Sequence, residues 1–180
     1  MALRPASTFL VRPLPSEPAI PIRRTTMPLA RRFYQICIAM VSDSLGEADL
    51  TPLQYGVLAY LNKSDGEPGI DQIGIAARLG IDRNNASVIV GELEKRGLVE
   101  RRVIGGDRRG RHLYLTLQGE KLYRRLLPDN AAANQRILEP LKPHERELLR
   151  DFLVRVIQGN AAYARPGAGR RKRGLRKSVP

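Results

Sequence analysis

Residues 69–116, GIDQIGIAARLGIDRNNASVIVGELEKRGLVERRVIGGDRRGRHLYLT, constrain the fold more than any other part of the chain. Ala86, Ile89, Val90 and Leu93 fall at i, i+3, i+4 and i+7, the spacing of one continuous apolar stripe on a helix. Asp82 just ahead of them is a good N-cap, and Gly97 closes the helix. Upstream, Ile70 to Leu79 reads as a short helix with Ile73, Ala76 and Ala77 inward, ended by a left-handed Gly80. Downstream, Leu98–Ile104 and Arg111–Leu117 read as strands, carrying Val103, Ile104, Leu113, Tyr114 and Leu115. The GGDRRG between them is a turn that uses the flexible backbone of Gly105, Gly106 and Gly110. Helix, tight turn, helix and basic-tipped hairpin, in that order, make a winged helix-turn-helix.

The flanks read as helices. Leu29, Phe33, Ile36, Cys37, Met40 and Val41 recur at threes and fours between Pro28 and Gly46. Thr51-Pro52-Leu53-Gln54 is a strong helix start: Thr51 caps, Pro52 suits the first position, and Gln54 completes a capping box. Leu53, Val57, Leu58 and Leu61 give that helix its buried stripe, and SDGEPG (64–69) is a loop. Thr116 caps a long helix carrying Leu122, Leu126 and Leu127, which Pro128 should kink or interrupt. A last helix from about Pro143 shows a broad apolar face of Leu148, Leu149, Phe152, Leu153, Val156 and Ile157. The first and last helices are apolar over more surface than one thin lobe covers, which predicts a two-fold homodimer. The expected class is therefore mainly α with a small β wing. Residues 1–27 hold Pro5, Pro13, Pro15, Pro18 and Pro21 and read as an extended basic arm, either a contact to partner or DNA or an unstructured leader.

Charge narrows the partners. The 180 residues carry 31 Lys and Arg against 18 Asp and Glu, a net +13 that favours polyanions. Most of the excess sits at the ends, since residues 28–163 hold 20 basic and 17 acidic side chains. Residues 164–180 read as a flexible basic tail that adds nonspecific attraction to DNA. Cys37 is the sole cysteine, so no intramolecular disulfide forms and a reducing cytoplasm, near the nucleoid, is the expected home. No apolar run reaches the ~20 residues of a membrane helix, and no signal-peptide core is present. The scarcity of aromatics, with no Trp, argues against a single-strand stacking platform.

The 82–97 helix supplies what a base-reading helix needs. Arg83 can donate two hydrogen bonds to guanine, Asn84 or Asn85 can pair with adenine, and Ser87 can bond a phosphate. All four lie near the helix N-terminus, the end that enters the groove. Arg101, Arg102, Arg108, Arg109 and Arg111 cluster around the hairpin turn, where an arginine can enter a narrow minor groove. Asp107 repels phosphate, so its role there is to pair with an arginine and brace the tip.

LTPLQYGVLAYL (50–61), LGIDRNNASVIVGELEKRGLVERR (79–102) and GGDRRGRHLYLTLQG (105–119) together resemble the MarR (multiple antibiotic resistance regulator) family of bacterial transcription factors, over about residues 28–160. The resemblance implies a homodimer with an intertwined helical region (about 28–46 and 117–163) and two DNA-binding lobes (about 51–117) on a pseudo-palindromic double-stranded operator. It also implies repression. Asp107 and Arg109 match the family's wing-tip pair, and Arg83, Asn84, Asn85 and Ser87 match its recognition-helix contacts. Val88 departs, because an arginine or lysine is often found there. Lys142 departs too, standing where a Ser or Thr cap is usual.

The same resemblance implies a small-molecule effector, an aromatic carboxylate or an acyl-CoA thioester, that releases DNA. Arg31, Arg32, Tyr34 and Tyr55 are the candidate effector residues, guanidinium being the natural partner of a carboxylate or phosphate. The alternative reading makes the arginines solvated or DNA-facing and the tyrosines core. Cys37 is a candidate redox trigger, though its apolar neighbours Ile36, Ile38 and Met40 favour an inert thiol. His112 and His144 are the only histidines and stand far apart, so no metal site is expected, and no cofactor. No nucleophile–base spacing or phosphate loop stands out, and the chain reads as a non-enzyme. The remaining alternative is a nonspecific architectural protein that binds nucleic acid through its tails.

Overall fold

The computed structural model describes residues 25–62, 69–103 and 111–163. The expected arm, the basic tail and the wing tip, with Asp107, Arg108 and Arg109, therefore lie outside the described residues, apart from the arm's last three positions. Compact units separate between Tyr34 and Gln35. Helix α1 spans Thr26–Leu45, and a single 3-10 turn follows at Gly46–Ala48. Arg31, Arg32 and Tyr34 are solvent-exposed on its first half.

Helix α2 (Pro52–Asn62) begins as its residues dictate. Thr51 N donates to Gln54 Oε1 at 2.8 Å, and Gln54 N donates to Thr51 Oγ1 at 3.2 Å, which closes the capping box. Strand β1 (Ile70–Asp71) precedes α3 (Gln72–Leu79). Here the expected helix from Ile70 is corrected. Ile70 pairs with Leu113 and Asp71 with His112, so the helix starts two residues later, with Asp71 as its cap. The buried residues of α3 are Ile75 and Ala76, whereas Ile73 is 51% exposed and Ala77 exposed, against the expected Ile73/Ala76/Ala77 stripe. Gly80 ends α3 at φ 66°.

Helix α4 (Arg83–Lys95) follows after Ile81 and Asp82. Strands β2 (Val99–Val103) and β3 (Arg111–Leu115) then form an antiparallel pair with Val99 opposite Leu115 and Val103 opposite Arg111. The sheet order is β1-β3-β2, so the wing hairpin gains a short third strand from the chain ahead of α3. Thr116 ties this hairpin to α5 (Leu117–Ile137). Its Oγ1 accepts from Gly119 N at 3.0 Å and donates to the Gly97 carbonyl at 2.6 Å. Its backbone N donates to the Leu98 carbonyl at 3.2 Å.

Pro128 sits inside α5, and the helix runs on through it to Ile137, so of the expected kink or interruption the interruption does not occur. The carbonyl that loses its partner is that of Arg124, one turn earlier, and Arg124 is exposed, so water can satisfy it. Leu126 is buried, but Leu127 is 44% exposed. Helix α6 (Pro143–Gly159) begins without a Ser or Thr cap; the Glu145 carboxylate instead accepts from Lys142 N at 2.7 Å.

One core underlies the helix-turn-helix and wing. Leu45, Val57, Leu58, Ile75, Val90, Leu93, Leu98 and Leu113 are all at most 3% exposed, and together they seat α4 on α2, α3 and the sheet. Gln54 is the one buried polar residue described, and its Nε2 donates to Glu92 Oε2 at 2.8 Å, which joins α2 to α4. Arg96 donates to the carbonyls of Ala48 and Asp49, so the end of α4 is also held. On α6 the apolar side chains stay outside this core: Leu148, Phe152, Leu153, Val156 and Ile157 are 39–59% exposed.

Candidate nucleic-acid interface

The interface is built on α4. Asp82, extended at φ −73°, accepts from Asn85 N at 2.9 Å and so caps the helix. Ala86, Val90 and Leu93 are fully buried, which fixes the helix rotation and turns the other side to solvent. Arg83, Asn84, Asn85 and Ser87 are all exposed on that side, as their positions predict. Arg83 makes no ion pair or hydrogen bond among the described residues, so its guanidinium is available to a ligand. Asn85 is partly committed, since its Nδ2 also donates to Asp82 Oδ2 at 3.1 Å. An open hollow of about 350 Å³ lies at this end of the helix, lined by Asp82, Arg83, Asn84 and Asn85. Free backbone N–H groups and the helix dipole make such an end attractive to phosphate.

The wing arginines are less free than their sequence cluster suggests. Arg101 pairs with Glu94 at 3.1 Å and donates to Gln72 Oε1 at 3.3 Å. Arg102 pairs with Glu100 and lies 4.7 Å over the Tyr114 ring. Both arginines thereby brace the base of the wing against α3, α4 and β3. Tyr114 also fastens the start of β1, because its phenol oxygen accepts from Gly69 N at 2.9 Å. Sequence alone marked Arg101 and Arg102 by charge. Their carboxylate partners, Glu94 and Glu100, could have been suspected from proximity in the chain.

Tyr55 is not presented to a ligand. It is 7% exposed and stacks on Tyr123 at 5.6 Å between ring centroids, which makes it a core residue. Burial raises its pKa to about 12, and the neighbouring Tyr123 adds to the rise. Cys37 is half-buried, and burial raises its thiol pKa too, outweighing a backbone hydrogen bond that lowers it. A raised pKa disfavours the thiolate that oxidants attack. Among the described residues no group of three potential metal ligands occurs, and no helix is long and apolar enough to cross a membrane.

A capped helix with an exposed polar face, packed on a helix-turn-helix and flanked by a β-hairpin, defines a winged-helix DNA-binding regulator. A family model described as MarR family matches residues 48–110. Transcriptional regulator HosA of Escherichia coli O157:H7 is 30% identical over 109 residues, 61% of this chain and 78% of that protein. Among solved structures, the PcaV transcriptional regulator from Streptomyces coelicolor, in complex with its natural ligand, is 32% identical at a TM-score of 0.67. That match covers 81% of this chain and 99% of PcaV. CouR from Rhodococcus jostii RHA1, bound to p-coumaroyl-CoA, is 29% identical at a TM-score of 0.63 and covers 70% and 87%. The chain belongs to the MarR family: it is a transcriptional regulator, not an enzyme.

Proposed function

We propose that this regulator is a ligand-responsive repressor that binds a pseudo-palindromic operator as a homodimer. The observation that carries the reading is the two-sidedness of α4: Ala86, Val90 and Leu93 are wholly buried, while Arg83, Asn84, Asn85 and Ser87 stand exposed on its first turns. In the major groove Arg83 would read guanine and Asn84 adenine, with Ser87 on a phosphate. Asn85, which also bonds Asp82, would contribute through the hydrogen-bonding capacity its side chain retains. Arg108 and Arg109 would enter the adjacent minor groove with Asp107 as the brace.

The exposed apolar face of α6 supports the dimer, since a second copy covers it at no cost in new sequence. Two recognition helices would then stand roughly 34–36 Å apart, one DNA turn, or a multiple of it. A dimer seated on a promoter blocks polymerase, which makes repression the natural output.

The effector would be an anionic aromatic acid or its CoA thioester. CouR, which is solved with such a thioester, supports that class. Arg31 and Arg32 remain its candidate anion partners and Tyr34 its candidate aromatic contact, whereas Tyr55 is withdrawn because it is buried against Tyr123. The test is selection of bound duplexes from a random pool with the full-length chain at near-physiological salt. An enriched inverted repeat, released by an aromatic acid or thioester, supports the reading. Binding without enrichment that vanishes as salt rises would replace it with a nonspecific architectural role.

A further inference from the structure

The outermost stripe of α4 carries a single charge, at its last residue, Lys95. At roughly 100° per residue, Asn84, Val88, Gly91 and Lys95 fall within about 60° of one another, directly opposite Ala86, Val90 and Leu93. Val88 on this stripe is 60% exposed. A β-branched side chain is a weak helix former, and solvent exposure forfeits its apolar gain, so nothing among the described residues favours valine here. Gly91 is equally unexplained by the fold. Its backbone is not left-handed, and a Cβ added there would meet nothing within 4 Å. A glycine inside a helix is destabilising relative to alanine. Both anomalies lie on the one surface that faces away from the core, where a DNA-bound helix would come nearest the base edges.

Resting on the reading that α4 enters the major groove, we propose that Val88 reads the C5-methyl group of a thymine. Gly91, lacking a side chain, lets α4 seat at the depth this contact needs. The thymine methyl is the one apolar feature of the major-groove edge, and small apolar side chains are its partners. Asn84 lies one turn before Val88 on the same stripe, so an adenine contact and a thymine-methyl contact would fall on neighbouring base pairs.

The test uses the full-length protein and the operator recovered by selection. Each thymine of a half-site is replaced in turn by deoxyuridine, which removes only the methyl group, and affinity is measured by fluorescence anisotropy. At one position per half-site the wild type should weaken about fourfold, the value of one buried methyl group. The Val88→Ala variant should be indifferent to that same replacement. Gly91→Ala should melt higher than wild type yet bind the operator more weakly. Equal uracil sensitivity in wild type and Val88→Ala, or no sensitive thymine at all, overturns the methyl contact. Unchanged operator affinity in Gly91→Ala overturns the seating role. If Arg83→Ala and Asn84→Ala weaken binding in either case, α4 still reads DNA and only this inference falls. If they leave binding unaltered, the reading of α4 falls with it.

Discussion

Two helical glycines should respond in opposite directions to the same substitution. Gly91 lies within α4 with open space where a Cβ would go, so Gly91→Ala should gain helix propensity of ~1 kcal/mol with nothing to oppose it. Gly119 lies in the first turn of α5, and a Cβ there would stand 2.0 Å from the Leu98 carbonyl oxygen. An ordinary carbon–oxygen contact is about 3.3 Å, so one partner must retreat by more than 1 Å. Neither can do so freely. The Leu98 carbonyl accepts from Thr116 N, and Gly119 N donates to the Thr116 hydroxyl, so a shift breaks one of the bonds that join the wing to α5. Overpacking at ~1–3 kcal/mol plus a lost hydrogen bond of ~1 kcal/mol outweighs a propensity gain of at most ~1 kcal/mol, for a net loss of about 1–3 kcal/mol. For a chain of this size that amounts to a melting point lower by about 2–12 °C, against a rise of about 2–4 °C for Gly91→Ala. Thermal unfolding followed by far-UV circular dichroism, at one fixed protein concentration, measures both. If Gly119→Ala melts at or above wild type, the packing assigned to the wing–α5 junction is wrong.

Three further outcomes follow from the geometry. Tyr55 has a pKa of about 12 against an ordinary 10.0, so the folded state favours its neutral form. The stability it contributes is complete below pH 10 and is lost as pH rises towards 12. Tyr55→Phe should therefore shift the alkaline unfolding midpoint upward, and an unshifted midpoint would contradict the buried placement. Phe152, 52% exposed on α6, should be an interface residue: Phe152→Glu should leave a folded monomer by light scattering at micromolar concentration, and an intact dimer would refute the assignment. Because burial raises its thiol pKa, Cys37 should be a poor oxidant target; peroxide should leave operator affinity within twofold, and release of DNA that Cys37→Ser abolishes would restore the redox reading.

What was legible in the sequence was local. Thr51 with Gln54, Asp82, Gly80, Gly97 and Thr116 act within a few residues of themselves, and each occupies the cap or stop expected of it. The α4 stripe was equally legible, because its period alone states which face is buried. What stayed hidden depends on contacts distant in the chain. Strand β1 is only two residues long and exists through its pairing with β3, so Ile70 reads as helical in isolation. For Tyr55 the sequence leaves ligand contact and core residue both open, and only the stacking of Tyr123, 68 residues on, decides for the core. Arg101 and Arg102 read as free because charge clusters do not show their partners.

The central claim is that the exposed face of α4 reads bases rather than merely phosphates. Parallel selections from one random duplex pool, with wild type and Arg83→Ala, test it most directly. The account expects an inverted repeat for wild type, and for the variant the same repeat with preference lost at one base pair per half-site, at a cost of ~1–3 kcal/mol. An identical enriched sequence in both, with the variant uniformly weaker, would make Arg83 a phosphate contact and contradict the claim.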